Sequence, residues 1–217
     1  MQISWKGQAC FHIIASPAKG EQVKIVVDPY NDSIGLRLPS LEADIAMVTH
    51  DHDDHNNVKA LKGDPFVITN PGEYDVKGIA IQGILSFHDE NQGKDRGTNT
   101  IYVFEAEGMK LCHLGDFGQA ELTPEQVEKI GNIDILFIPV GGVYTIDAKG
   151  AGKVLNQIEP KVVVPMHYAI PKLKPKLDKV DELFREIGMK RPEVQARLVI
   201  KSKDISAEGA SLVLLEP

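Results

Sequence analysis

The sequence has little cysteine, no long apolar run and no excess of positive charge. Of its 217 residues only Cys10 and Cys112 are cysteines, and both lie in apolar segments, so we expect buried free thiols rather than a disulfide. No apolar stretch approaches the roughly 18 residues of a membrane span, which argues against a membrane protein. A net charge of −7 argues against a general nucleic-acid binder, since tracking phosphates requires a basic surface. Residues 1–6 lack the pattern of a signal peptide, and we expect a cytoplasmic protein.

The composition is that of an ordinary globular protein, with 42% apolar and 25% charged residues. Short β-rich runs separated by turn residues fill the first half of the chain, and helical patterns alternate with strands in the second half. We predict helices near 124–131, 147–158 and 177–187, and late strands near 134–140, 161–165, 197–201 and 211–215. No linker or repeat is visible, so residues 1–217 are predicted to form a single domain.

The segment 49–55 places three of the seven histidines and a suitably spaced carboxylate within six positions. If the preceding residues form a strand, His50 and His52 point to the same side of it. Asp54 and His55 then lie just past the strand end and can offer a second set of ligands. Imidazole and carboxylate groups suit Zn, Fe, Ni and Mn, so the segment predicts metal binding, with a solvated polar turn as the alternative.

Four further ionisable residues stand where other predicted strands end, namely Asp28, His88, Asp116 and His167. Functional residues commonly project from the carboxyl ends of strands in sheets flanked by helices. These residues are therefore candidates to complete the site begun by the histidine cluster.

In their order and spacing these motifs resemble those of the metallo-β-lactamase superfamily, whose signature His-x-His-x-Asp-His stands here as His50, His52, Asp54 and His55. The phrases 112–116 and 165–168 resemble most a subgroup of zinc-dependent hydrolases related to ascorbate-6-phosphate lactonase and N-acyl-phosphatidylethanolamine phospholipase D. The resemblance implies an α/β fold, a four-layer αββα sandwich of two mixed β-sheets flanked by helices.

The resemblance also implies a role for each residue. The first of two divalent metal ions would be held by His50, His52 and His88. The second would be held by Asp54, His55 and His167, with Asp116 bridging the two. Asp28 would lie behind the ligands and accept a hydrogen bond from a ligand histidine. Zinc is the first choice of metal, and manganese and iron are the alternatives.

The activity implied is that of a dinuclear metal-dependent hydrolase that cleaves a small ester-type substrate, a phosphodiester or a lactone, with an anionic or phosphorylated substrate as one option. Asp54 is the best candidate to orient the attacking water and receive its proton. Antibiotic hydrolysis is disfavoured because Asp116 stands where secreted lactamases carry a cysteine. Oxygen reduction is disfavoured because His52 stands where the oxygen reductases of the superfamily carry a glutamate. An iron-dependent redox enzyme, a minor nuclease activity and a non-catalytic metal-stabilised module remain as alternatives.

Two other residues have weaker patterns, and each has a structural alternative. His113 lies just before Asp116 and could donate a proton to a leaving group, or it could be a hydrogen-bonded core histidine. Tyr144 follows a strand that should open on the same rim and could bind substrate, or it could simply pack in its loop. The sequence does not specify the oligomeric state.

Overall fold

The protein is described by a computed structural model that covers residues 1–18, 21–206 and 209–217. Its helices and strands, in chain order, are β1 Gln2–Trp5, β2 Phe11–Ala18, β3 Glu21–Val27, β4 Ile45–Met47, β5 Phe66–Ile68, β6 Gly72–Val76, β7 Ile79–Phe87, β8 Thr98–Ala106, β9 Met109–His113, α1 Pro124–Ile130, β10 Ile135–Pro139, α2 Ala148–Ile158, β11 Val162–Met166, α3 Asp181–Glu186, β12 Val194–Gln195, β13 Leu198–Val199, β14 Ser211–Leu212 and β15 Leu214–Leu215.

Most of these strands form two mixed sheets. The first has the order β13-β1-β2-β3-β4-β5 and the second the order β14-β11-β10-β9-β8-β7-β6, while β12 and β15 form a small separate pair. In the first sheet β3, β4 and β5 are parallel, and in the second β9, β10, β11 and β14 are parallel. The predicted sandwich of two mixed sheets is confirmed.

The main hydrophobic core lies between the sheets, and side-chain alternation along β3 shows how the first sheet is covered. Ile25 and Val27 belong to the main core, whereas Val26 between them packs in a second cluster with Tyr30 and Ile34. The outer face of this sheet is therefore covered by the segment after β3, which contains the 3-10 turn Asp32–Ile34. Within the described residues, this outer layer contains no α-helix, which differs from the helical layer expected on both sides.

The α-helices follow strands of the second sheet, and local sequence explains their starts. Thr123 and Gln126 form a reciprocal capping box at the start of α1, with Pro124 in the first turn, as the sequence predicts. Asp147 caps α2 by accepting a hydrogen bond from the backbone N–H of Gly150 at 2.8 Å. Helix α3 is shorter than predicted at its start, because residues 177–179 form no regular structure and Val180 is the residue that precedes the helix.

The prediction from sequence missed three strands, β1, β6 and the two-residue β12, and each of them pairs with a neighbouring strand. The β6 strand is exposed at one sheet edge and has polar residues at alternate positions, so its apolar pattern is weak. No helix among the described residues is long and apolar enough to cross a membrane.

Candidate metal centre

The predicted ligands meet at one edge of the sandwich because each follows the carboxyl end of a strand. His50, His52, Asp54 and His55 follow β4, His88 follows β7, Asp116 follows β9 and His167 follows β11. In parallel and mixed sheets, side chains that follow neighbouring strand ends converge on one rim. The structure thus brings together all seven residues that the sequence nominated as ligands.

The seven residues fall into two groups whose ligand atoms lie within 4.8 Å of one another inside each group. The first group is His50, His52 and His88, and the second is Asp54, His55, Asp116 and His167. The groups adjoin, since the rings of His50 and His55 are 4.1 Å apart between centroids. The family resemblance implies the same division, with Asp116 shared between the two groups.

Asp116 occupies the space between the two groups. Its Oδ2 atom lies 3.2 Å from His167 Nε2, 3.3 Å from His55 Nε2 and 3.4 Å from His88 Nε2. One carboxylate oxygen therefore approaches histidines of both groups, which is the position a bridging ligand requires.

Asp28 orients one histidine of each group, His55 by direct contact and His50 through Thr49. Its carboxylate accepts hydrogen bonds from the backbone N–H and the hydroxyl of Thr49, both at 2.8 Å. The same Thr49 oxygen lies 3.0 Å from His50 Nδ1, and Asp28 Oδ2 lies 3.0 Å from His55 Nδ1. Contacts of this kind fix the orientation of a ligand ring and leave the other ring nitrogen for a metal.

Backbone conformation around the site is restrained at several positions. Asp28 and His167 have positive φ angles of 49° and 52°, which are uncommon for residues other than glycine and typical of functional sites. Gly115 has a φ of +58°, and a Cβ atom there would lie 2.4 Å from Asn99 Oδ1 and 2.7 Å from Thr49 Cβ. Asn99 Oδ1 in turn accepts the backbone N–H of Asp116 at 3.0 Å. A glycine is required where these two side chains meet.

The charges of the cluster are strongly coupled. Burial would raise the pKa of Asp116, but His167 and His55 hold it well below its usual range. Burial would lower the pKa of His55, but Asp116 and Asp28 raise it well above its usual range. Burial and the neighbouring His55 lower the pKa of His50 to about 2, so this ring is neutral at pH 7. The ionised Asp116 and the neutral His50 are in the protonation states that metal binding requires, whereas His55 must lose its proton when a metal ion binds.

Unpaired polar atoms test whether these residues fit metal ions. Six buried side-chain atoms of the cluster form no hydrogen bond, namely His50 Nε2, His55 Nδ1, His55 Nε2, His88 Nδ1, His167 Nδ1 and Asp116 Oδ1. An unsatisfied buried polar group costs about 1–3 kcal/mol, so several in one place are unfavourable unless something binds them. Nitrogen and carboxylate donors at this density match the preferences of zinc and related divalent cations. The residues fit two adjoining cation sites.

Gln8 is a site residue that sequence reasoning missed. It lies in the turn between β1 and β2, is 1% exposed and has a positive φ of 51°. Its Nε2 donates to Asp54 Oδ2 at 3.0 Å and lies 2.8 Å from His167 Nε2. A single glutamine in a short turn gives no distinctive pattern, and only the position of Gly7 beside it signals a tight turn.

A pocket of about 380 Å³ opens over the second group and contacts the first. Its lining includes Asp54, His88 and His167 from the two groups, together with Arg96 and Tyr144. The predicted substrate-binding candidate Tyr144 is therefore placed at this pocket, with 43% of its surface exposed. Asp51 and Asp53 do not line the pocket.

His113 does not reach the pocket. Its ring is fully buried beside Phe11 and Phe137, its Nδ1 accepts the backbone N–H of Gly115 at 3.1 Å, and its Nε2 lies 2.9 Å from the carbonyl oxygen of Ala9. Both ring nitrogens are occupied by backbone groups, so neither can reach a leaving group. The geometry is that of the core histidine named as the alternative, rather than that of a proton donor.

Comparison with known proteins gives the family to which the chain belongs. A family model for the β-lactamase superfamily domain matches residues 2–167, so the chain belongs to this superfamily of metallo-β-lactamase fold proteins. A UPF0173 metal-dependent hydrolase from Thermococcus onnurineus is 30% identical over 198 residues, which cover 77% of this chain and 84% of that protein.

Solved structures give the same result. A crystal structure from Thermotoga maritima, of a proposed zinc-dependent hydrolase of the metallo-β-lactamase superfamily, is 37% identical. It has a TM-score of 0.79 and covers 99% of this chain and 98% of that one. Igni18, a metallo hydrolase from Ignicoccus hospitalis, shares the fold at 19% identity, with a TM-score of 0.64 over 92% of this chain and 99% of that one. The narrower likeness to ascorbate-6-phosphate lactonase and N-acyl-phosphatidylethanolamine phospholipase D stays a prediction.

Proposed function

We propose that this protein is a metal-dependent hydrolase that holds two divalent cations, zinc in the first instance, and cleaves a small ester-type substrate. Phosphodiesters and lactones are the substrate classes we favour. The observation that carries the proposal is the pair of adjoining donor groups that share Asp116 and open into one pocket. The hydrolase names of relatives such as the Thermococcus onnurineus protein support the reaction class.

The donor set divides between the two cations. His50, His52 and His88 would hold one, Asp54, His55 and His167 the other, and Asp116 would contact both. Bound divalent cations supply Lewis acidity and make water more acidic, so that a nucleophile is available near neutral pH.

Residues of the chain would position the reactants. Although burial alone would raise the pKa of Asp54, the hydrogen bond and charge of His55 hold it below its usual range. Asp54 is therefore ionised at pH 7, borders the pocket and can orient an attacking water and accept its proton. Gln8 holds the Asp54 carboxylate by its amide and fixes the direction in which it points.

The first test is metal binding and turnover in the same preparation. Metal-free protein is loaded with Zn, Mn or Fe, the bound metal is counted by mass spectrometry, and each form is assayed against activated phosphodiesters, lactones and thioesters. We expect two ions per chain and hydrolysis of at least one ester class.

Matched histidine variants then separate the site from general effects. His55→Ala should bind fewer ions and lose turnover while circular dichroism shows a folded protein. His12→Ala, which alters a half-buried histidine outside the metal groups, should behave as wild type. A stoichiometry of one ion, or unchanged turnover in His55→Ala, would contradict the dinuclear proposal. Tight iron with oxygen or sulfur chemistry and no ester hydrolysis would favour the redox alternative instead.

A further inference from the structure

The loop between His88 and β8, residues 89–97, is folded around the carboxylate of Asp89. That carboxylate accepts backbone N–H groups from Asn91 at 2.7 Å, Gly93 at 2.9 Å, Asp95 at 3.1 Å and Arg96 at 2.8 Å. The loop also closes on itself, since the backbone N–H of Gly97 donates to the carbonyl of Gly93 at 2.9 Å. Four hydrogen bonds to one carboxylate give this surface segment a defined conformation.

The loop is tied to the metal groups at its base. His88 directly precedes Asp89, and its backbone N–H donates to the carbonyl of Gly97 at 3.1 Å. The position of residues near the end of the loop is therefore fixed relative to a candidate metal ligand.

This loop carries Arg96 into the pocket wall. The Arg96 side chain is half-buried, and its guanidinium carbon lies 4.7 Å from the centroid of the Tyr144 ring. Stacking on an aromatic ring restrains a guanidinium while leaving the edge that carries its N–H groups open to a ligand. Tyr144 thus helps to hold the Arg96 side chain in place at the pocket.

The guanidinium has no anionic partner in the described part of the chain. The Arg96 guanidinium takes part in no ion pair or side-chain hydrogen bond among residues 1–18, 21–206 and 209–217. The neighbouring Asp95 also borders the pocket, but it is not paired with Arg96. Apart from histidines, Arg96 is the one basic side chain among the described residues that line this pocket. A half-buried, pre-positioned guanidinium with unused donors is suited to bind an oxyanion by two parallel hydrogen bonds.

We infer that the substrate carries an oxyanion group, a phosphate or a carboxylate, and that Arg96 stacked on Tyr144 binds it beside the metal groups. The inference rests on the proposed hydrolase function and narrows its substrate class to anionic esters. Arg96 is a binding residue in this assignment, and Asp89 is a positioning residue that acts through the loop.

The test measures anion binding separately from turnover. Zinc-loaded wild type, Arg96→Gln and Lys94→Gln are titrated calorimetrically with methylphosphonate. Lys94→Gln is the matched control because it removes the same charge from the same loop at an exposed position that does not line the pocket. We expect Arg96→Gln to weaken binding about 10- to 100-fold, as loss of charge-assisted hydrogen bonds does. Lys94→Gln should stay within about twofold of wild type, as screened surface charges do.

Turnover of two paired esters gives the second measurement. The mono-p-nitrophenyl ester of glutaric acid carries a free carboxylate, and p-nitrophenyl butyrate is its neutral counterpart. Arg96→Gln should lower kcat/KM for the anionic ester and leave the neutral ester near wild type. Equal methylphosphonate affinity in wild type and Arg96→Gln, or no binding by wild type, would overturn the inference. Loss of binding in Arg96→Gln in a protein that cleaves no ester would uphold the anion site and refute the proposed hydrolysis.

Discussion

Replacement of Gly115 by alanine should be among the most damaging single-methyl changes in this protein. Gly115 lies between the end of β9 and Asp116, where it has a φ of +58°. An added Cβ would meet Asn99 Oδ1 at 2.4 Å and Thr49 Cβ at 2.7 Å, both far inside contact distance. Neither neighbour can move easily, because both are buried and hydrogen-bonded.

The expected loss of stability follows from three contributions. The left-handed conformation costs an alanine about 1 kcal/mol relative to glycine. Overpacking a rigid core by one methyl group costs about 1–3 kcal/mol. Displacement of Asn99 would leave the buried backbone N–H of Asp116 without its acceptor, at about 1–3 kcal/mol. Because such contributions overlap, we expect a total of about 3–5 kcal/mol.

The assay is equilibrium urea unfolding with a chelator present, so that metal binding does not contribute. Gly108→Ala is the matched control, since Gly108 has a φ of +69° with no atom within 4 Å of the added Cβ. It should lose only about 1 kcal/mol from backbone strain. If Gly115→Ala costs no more than Gly108→Ala, the close packing around Gly115 does not hold and the reasoning is refuted.

Three further predictions concern the support of the site, surface electrostatics and the thiols. Asp28→Asn should weaken zinc binding about 10- to 100-fold in competition with a chromophoric chelator, because Asp28 orients a histidine in each group; unchanged affinity would exclude that role. Slight burial would raise the pKa of Asp44, but the hydrogen bond and charge of Lys77 lower it below its usual value. The ionised Asp44 therefore stabilises the folded state above pH 4, and this stabilisation is lost as the pH falls through the folded-state pKa. Because solvent screens this ion pair, in which Lys77 is 56% exposed, Asp44→Asn should lose only about 0.5 kcal/mol in urea unfolding at pH 7. The difference should shrink below pH 4, whereas a pH-independent difference would count against this account. Cys10 and Cys112 are free, fully buried and have pKa values raised by burial, so both should react with an aromatic disulfide reagent only after unfolding, and rapid labelling of the native protein would contradict their placement.

Much of the site was predictable because its candidate ligands are histidines and carboxylates that directly follow predicted strands. His50, His52 and His55 form a dense local pattern, and His88 and His167 each follow a readable apolar run. These features depend only on short stretches of sequence, so they could be predicted without knowledge of the fold.

Residues whose roles depend on distant neighbours could not be assigned in the same way. Cys112 and His113 lie on a strand that is buried on both faces, so alternation cannot show which side meets the pocket. The role of His113 is set by the Ala9 carbonyl, which is 104 residues away in sequence. Gln8 and Arg96 are single polar residues in short connecting segments with no distinctive sequence pattern, and only the folded chain brings them to the pocket.

The two donor groups form one mechanical unit rather than two independent sites. Asp116 contacts histidines of both groups, and Asp28 supports His55 directly and His50 through Thr49. A change that moves Asp28 must therefore alter the first and second groups together. Asp28 has an unfavoured positive φ, and it receives two hydrogen bonds from the buried Thr49, whose side chain in turn lies against Gly115. The positions of the candidate ligands thus depend on the close approach of chain segments from both sheets. A methyl group at Gly115 should therefore affect metal binding as well as stability.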